Sequence, residues 1–269
     1  MTEKPDGNRP QRSLLSVVVP IYNEAETWRT VLDRVAAVEL PGISKQIILV
    51  DDGSTDGSRA ALSEFAGRSA DAIAADLPPG NRVDAVFHIR NRGKGAALRT
   101  GFAAARGELV IVQDADLEYD PAEYPRLLEL LVEGRADVVY GSRFASGGRK
   151  GYRKNYLANR FLTALSNLTT GLRLTDMETC YKVFRREVLD RLDLEQDRFG
   201  IEPEITAKVA QLGVRVFEVP IRYNPRRHEA GKKIGWRDGL QAIRCIVRYG
   251  LARCSRARKD RAERTEERE

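Results

Sequence analysis

Apolar residues follow two rhythms in the first half of this chain. Short runs rich in Val, Ile and Leu at 14–20, 46–50, 83–89, 108–113 and 137–140 read as strands buried on both faces. Between them, 25–38, 56–66, 96–106 and 121–132 carry apolar residues at helical spacing. This alternation is the signature of βαβ units, so it predicts an α/β fold with a mostly parallel central sheet flanked by helices. Ser54 or Thr55 can cap the second helix, and Asp120 ahead of Pro121 can cap the fourth.

After Gly141 the pattern loosens into a Gly- and Arg-rich stretch at 142–153, followed by a long helical region at 155–172. A short apolar element at 180–184, a helix at 202–212 and a strand at 214–219 complete the folded region. From 236 to 251, Trp236, Leu240, Ile243, Val247 and Leu251 recur while Arg237, Arg244 and Arg248 fall elsewhere, which describes a basic amphipathic helix. Such a helix either rests on an anionic membrane, together with Tyr152, Tyr156 and Phe161, or packs on its own domain with its arginines in water. The expected organisation is a disordered segment at 1–13, one α/β domain at 14–235, the basic helix at 236–252 and a charged tail at 253–269.

Composition narrows the partners without choosing one. A net charge of +6 favours an anionic ligand or surface. No run of about 18 apolar residues could span a bilayer, and the polar N-terminus MTEKPDGNRPQR lacks the apolar stretch of a secretory signal. The expected location is cytoplasmic and peripheral at the cytoplasmic face of the membrane. Cys180, Cys245 and Cys254 are odd in number and lack metal-ligand spacing, so they read as inert thiols.

The strand ends carry the candidate chemistry. Val110-Ile111-Val112 runs into Gln113-Asp114-Ala115-Asp116, two carboxylates one residue apart at a strand's carboxyl end. Open α/β sheets bind ligands there, and such a pair can hold a divalent cation against a diphosphate. The first strand ends in Pro20-Ile21-Tyr22-Asn23-Glu24 rather than a glycine-rich turn, which argues against a dinucleotide fold. The second ends in Asp51-Asp52-Gly53-Ser54, where carboxylates that close an apolar strand need a ligand, solvent or a partner. Asn91-Arg92-Gly93-Lys94-Gly95, just before a helix, offers an anion site without P-loop spacing.

Taken together, PIYNE, DDGSTDGS, NRGKGAALRTG, DADLEYDP and GSRF resemble glycosyltransferase family 2. The segments 176–184 (DMETCYKVF) and 226–233 (RRHEAGKK) look like its dolichol- and polyprenyl-phosphate hexose synthase branch. The resemblance implies a GT-A nucleotide-binding fold, Mg²⁺ or Mn²⁺, inversion at the sugar's anomeric carbon, and a UDP- or GDP-linked sugar donor. It places Pro20, Tyr22, Glu24, Asp51 and Asp52 at the nucleoside with Lys94 beside them, and Asp114 and Asp116 on the metal with Gln113 or Glu118 assisting. Asp176 would sit near the anomeric centre, orienting the acceptor or binding metal, and Glu204 would lie near the acceptor face.

A polyprenyl phosphate acceptor is already an anion, so it needs orienting cations more than a strong base. Arg143, Arg226 and Lys232 are the leading candidates, with Arg222, Arg227 and Lys233 nearby. Two other readings fit the same residues: the same donor chemistry with a soluble sugar or polysaccharide acceptor, and a non-catalytic basic binding module. Nucleic acid is not an expected partner, because these carboxylates would repel a phosphate backbone. The sequence assigns no role to His88 or His228, and it leaves open the donor's sugar and whether the chain forms a homo-oligomer.

Overall fold

The computed structural model describes residues 13–147, 153–225 and 239–250. Arg226, Arg227, His228, Lys232, Lys233, Trp236 and Cys254 therefore lie outside the described residues, as do the expected end segments.

The first half builds β1 (Ser13–Ile21), α1 (Trp28–Ala37), β2 (Ile43–Asp51), α2 (Ser58–Ala66), α3 (Ala70–Ala75), β3 (Asn81–Phe87), α4 (Lys94–Ala104) and β4 (Leu109–Val112). A 3-10 turn at Pro121–Glu123 leads into α5 (Tyr124–Val132) and β5 (Val138–Ser142). Then come α6 (Arg153–Thr170), β6 (Lys182–Arg185), α7 (Arg186–Leu189), α8 (Ile201–Leu212) and β7 (Val216–Pro220), and residues 239–250 form a helix, α9.

The strands form one seven-stranded sheet in the order β3-β2-β1-β4-β6-β5-β7. All neighbours run parallel except β6, which is antiparallel to both β4 and β5. Four of the five runs read as buried strands are buried: Val17, Val18, Val19, Ile47, Ile48, Leu49, Val50, Val110, Ile111, Val138 and Val139 have no exposed surface. Apolar runs covered by helices on both faces require this. The run at 83–89 is the exception, because β3 (Asn81–Phe87) is an edge strand with only partly covered residues, and Ile89 beyond it is 97% exposed. The chain leaves β1 toward β2 on one side and returns to β4 on the other, so the sheet's switch point opens between β1 and β4 at their carboxyl ends. Register aligns those ends, with Ile21 opposite Asp51 and Asp51 opposite Phe87.

Two local expectations change. Helix α2 begins at Ser58 behind Gly57, with no side-chain cap. Ser54 instead accepts from the Asn23 backbone N–H, tying the ends of β1 and β2 together. Asp120 does cap its turn, accepting from the Ala122 N–H.

The phase of α9 also differs from the sequence pattern. Its buried residues are Ala242, Cys245, Ile246 and Tyr249, whereas Leu240 is 55% and Val247 41% exposed. Ala242 and Ile246 pack with Leu162 of α6 and with Met177, and Cys245 and Tyr249 pack with Ala207 of α8. Small Ala242 and Cys245 alternate with Ile246 and Tyr249 on the face turned to α6 and α8, while Leu240 and Val247 are left outward.

Candidate active site

The carboxyl ends of β1 to β4 gather the candidate residues, but their environments divide sharply. Asp51 and Asp52 are buried and saturated by this chain's own donors. Asp51 accepts from the Gly53 and Ser54 N–H groups and from Arg59 at 3.1 Å. Asp52 accepts from the Arg92 and Gly93 N–H groups, from Asn91 Nδ2 at 2.9 Å, and pairs with His88 Nδ1 at 2.7 Å. His88 Nε2 meets the Thr100 hydroxyl at 2.9 Å, so a histidine without a sequence-assigned role joins Asp52 to α4. Together these contacts shape the 91–93 loop and aim the start of α4.

Lys94 opens that helix, and its loop packs tightly. A Cβ on Gly93 would fall 2.4 Å from the Asp197 carbonyl oxygen, and one on Gly95 would fall 2.2 Å from that of Gln196, so only glycine fits. The opposing 195–197 turn is held by Glu204, which accepts from the Glu195 and Gln196 N–H groups at 2.8 Å each and pairs with Lys208 at 2.7 Å. Glu204 is fully buried. Expected near the acceptor face, it holds with its carboxylate the turn that packs against the Lys94 loop.

At the end of β4, Asp114 and Asp116 are half-buried, with part of each residue open to solvent. Leu117 adopts a left-handed φ of 62°, which for a branched residue costs about 1–2 kcal/mol and makes the sharp turn after Asp116. Glu118 closes that turn: its carboxylate accepts from the Tyr223 hydroxyl at 2.8 Å and its carbonyl from the Asn224 N–H. Gln113, expected to assist a metal, is fully buried and committed elsewhere. Its amide oxygen accepts from the hydroxyls of Tyr124 and Tyr181 at 2.8 Å each, and its Nε2 donates to the Asp114 carbonyl.

Lys94 bridges two carboxylates, Asp114 at 2.9 Å and Glu202 at 3.1 Å. Burial pulls the Lys94 pKa down, but the two carboxylates outweigh it and hold the ammonium well above the ordinary lysine value. Two carboxylates thus share one ammonium, and Asp116 adds a third carboxylate at the same turn. The charge and the hard oxygen donors of Asp114 and Asp116 fit a divalent cation such as Mg²⁺ or Mn²⁺ that takes its other oxygens from phosphates and water. Among the described residues no third His, Cys, Asp or Glu completes a protein-only cage.

Nothing in the sequence sets Glu202 apart, and the structure adds it to the site. It and Glu204 begin α8 two residues apart, and side chains at that spacing do not share a helix face. One therefore meets the Lys94 ammonium and the other the supporting turn. Deeper in, burial pushes the Glu178 carboxyl up to about 7 and pulls the Lys182 ammonium below its ordinary value.

The remaining candidates form a second group across the site. Arg143 donates through Nε and NH2 to the two oxygens of Asp176 at 2.7 and 2.8 Å, and the Arg143 N–H adds a third bond. Its guanidinium lies 5.3 Å from the rings of both Phe144 and Tyr223. Asp176 is fully buried and holds the Arg143 guanidinium through both of its oxygens. Toward β1, Tyr22 is 36% exposed and Pro20 partly so. Glu24 accepts from the Thr27 hydroxyl at 2.8 Å.

Comparison with known proteins matches this arrangement to one family. The model of glycosyl transferase family 2 matches residues 16–193. The chain is 34% identical over 219 residues to the undecaprenyl-phosphate 4-deoxy-4-formamido-L-arabinose transferase of Edwardsiella ictaluri, covering 81% of this chain and 62% of that protein. The chain thus spans about three fifths of that relative's length. It is 31% identical to the polyprenol monophosphomannose synthase of Mycolicibacterium smegmatis, covering 97% of this chain and 94% of that one. With the undecaprenyl-phosphate mannosyltransferase of Micrococcus luteus it shares 32% identity over 87% and 93% of the two chains. In fold it resembles the crystal structure of glucosyl-3-phosphoglycerate synthase from Mycobacterium tuberculosis in complex with Mg²⁺ and uridine diphosphate. That likeness has a TM-score of 0.63 at 23% identity and covers 90% of this chain and 80% of that one.

Proposed function

This chain belongs to glycosyl transferase family 2, and we propose that it moves a hexose, with inversion, from a nucleoside diphosphate sugar to a polyprenyl phosphate at the cytoplasmic face of a membrane. The observation that carries the reading is the Asp114–Lys94–Glu202 cluster at the sheet's switch point, beside the Asp114-Ala115-Asp116 turn. Two relatives matched over nearly their whole length are named for polyprenol or undecaprenyl-phosphate mannosyl transfer, which supports a lipid phosphate acceptor.

Asp114 and Asp116 would hold Mg²⁺ or Mn²⁺, which when bound neutralises charge on the departing nucleoside diphosphate. Lys94 adds a fixed cation on the same side. Pro20, Tyr22 and Glu24 line the β1 end where a base and ribose can lie, and Asp51 and Asp52 serve that site by fixing its loops. Arg143, held by Asp176 and two rings, would orient the acceptor oxygen, with Arg226 and Lys232 as further cations. No strong base is required, because the acceptor oxygen is already anionic.

Peripheral membrane contact is supported by the outer face of α6 and α9. Leu157, Phe161 and Leu168 recur along one stripe of α6 and are 58%, 59% and 82% exposed, alongside Leu240 and Val247. Neither α6 nor residues 239–250 contains an Asp or Glu. An apolar stripe on acid-free helices bearing Lys154, Arg160, Arg244 and Arg248 suits an anionic bilayer surface. Among the described residues no helix is long and apolar enough to cross a membrane.

A detergent-solubilised assay with polyprenyl phosphate, Mg²⁺ or Mn²⁺, and UDP-glucose, GDP-mannose or UDP-N-acetylglucosamine tests the proposal. Labelled lipid with at least one donor is expected. Absence of product with every donor would overturn it.

A further inference from the structure

Two carboxylate oxygens in the site's interior, Glu202 Oε2 and Glu178 Oε1, are buried without a hydrogen-bond partner. Leaving such an acceptor unsatisfied costs about 1–3 kcal/mol, and native interiors rarely tolerate it without a purpose. Glu202 is only 7% exposed. Its other oxygen, Oε1, is the one that holds Lys94, so the unsatisfied Oε2 is left over from a carboxylate already fixed in place.

The two glutamates belong to one cluster. After burial itself, the strongest influence on Glu178 is the Glu202 charge, and Lys182 acts on both. Glu202 lies directly beyond Lys94 from the Asp114 carboxylate. The contacts Asp114–Lys94 and Lys94–Glu202, laid end to end, keep the two carboxylates within about 6 Å of each other. That separation is within the reach of a hexose attached to a diphosphate held at Asp114 and Asp116.

An ionised carboxylate oxygen only accepts, so the occupant of Glu202 Oε2 must donate, and Glu178, with its carboxyl pushed up to about 7 by burial, keeps an acceptor oxygen in either protonation state. A hexose offers hydroxyl donors and fits without adding charge to an interior that already holds Lys94 and Lys182. We infer that Glu202 Oε2 and Glu178 Oε1 accept hydrogen bonds from the hydroxyls of the donor sugar, and that this pair, not the nucleoside site, selects which hexose is used. The inference rests on the proposed nucleotide-sugar chemistry. It also accounts for a glutamate at 202 where Lys94 alone would need only one oxygen.

Calorimetry on the full chain separates this idea from the acceptor assignment, because it needs no lipid. UDP-glucose, GDP-mannose and the matching UDP and GDP are titrated in Mg²⁺ into the wild type, Glu202→Gln and Glu178→Gln, with thermal melts confirming that each variant folds. In the wild type one nucleotide sugar is expected to bind at least 10-fold tighter than its own nucleoside diphosphate. Within each variant the sugar advantage is the ratio of nucleotide-sugar to nucleoside diphosphate affinity: Glu202→Gln should remove most of it whatever the loss of its Lys94 contact does to the diphosphate itself, and Glu178→Gln should lower it to a smaller degree.

An equal loss of nucleotide-sugar and nucleoside diphosphate affinity in Glu202→Gln, leaving their ratio at the wild-type value, would show that Glu202 acts only by holding Lys94, and would overturn the inference. An unchanged sugar advantage in both variants would overturn it as well, as would a wild type that binds sugar and diphosphate forms alike. A second cation as the occupant would appear as a metal stoichiometry that falls by one in Glu202→Gln, and it too would overturn the inference. If binding behaves as expected but no lipid is labelled in the transfer assay, the acceptor proposal fails and the sugar site stands.

Discussion

Two acidic clusters close strands of the same sheet, and they are built in opposite ways. At the end of β2, Asp51 and Asp52 are buried at 0% and 2% exposure with every oxygen engaged by backbone N–H groups, Arg59, Asn91 or His88. At the end of β4, Asp114 and Asp116 are only half-buried, and the adjoining glutamates keep unsatisfied oxygens. The first cluster has spent its hydrogen-bonding capacity on shaping loops. The second combines solvent access with acceptors to spare, which is what a site needs to meet a cation, a phosphate or a sugar. Saturation, more than burial or residue type, separates the scaffold from the chemistry.

The contrast predicts that removing a carboxylate costs activity in one cluster and stability in the other. Asp116→Ala should lower kcat about 100- to 1000-fold, by loss of charge stabilisation at the leaving group, with little change in melting temperature. A near-normal rate would misplace the metal. Asp52→Ala should cost about 3 kcal/mol of unfolding free energy in a urea titration, because His88, Asn91 and two N–H groups are left without their acceptor. An unchanged midpoint would mean that Asp52 is not the organiser described above.

Smaller effects sharpen the division. Replacing both Leu240 and Val247 with Ser should reduce co-sedimentation with anionic vesicles about 10-fold, while nucleotide binding and stability hold, since both side chains already face outward. The smallest effect concerns pH. Because burial raises the folded-state pKa of Glu178 from 4.5 to about 7, the folded protein binds this proton more tightly than the unfolded chain does. Its contribution to stability is fully present below about 4.5 and is lost as pH rises through 7. Relative to the wild type, Glu178→Gln should therefore gain melting temperature between pH 5 and 8; parallel curves would contradict the raised pKa.

Much of this division is not legible in sequence. Asp51, Asp52, Asp114 and Asp116 are all acids at strand ends, and nothing local distinguishes them. What separates them is the 91–93 loop folding back onto Asp52, a contact made across some 40 positions of chain. Glu202 and Glu204 are equally ambiguous, because the helix start explains both and only the neighbours of α8 decide which faces Lys94. In α9 the apolar pattern alone leaves open which face packs inward, and the structure turns Ala242, Cys245, Ile246 and Tyr249 to the domain while Leu240 and Val247 stay outward.

The sequence by itself determined most of the elements, though not the short helices α3 and α7, together with the parallel sheet of the first half and the position of the Asp114-Ala115-Asp116 turn. Periodicity and strand-end chemistry are local properties, and the family motifs are contiguous. The tertiary structure alone decided which carboxylates are saturated, that Asp176 locks Arg143, and that Lys94 joins Asp114 to Glu202. Those outcomes depend on donors brought from distant segments, and a side chain's remaining capacity to bind is fixed only after its neighbours have taken their share.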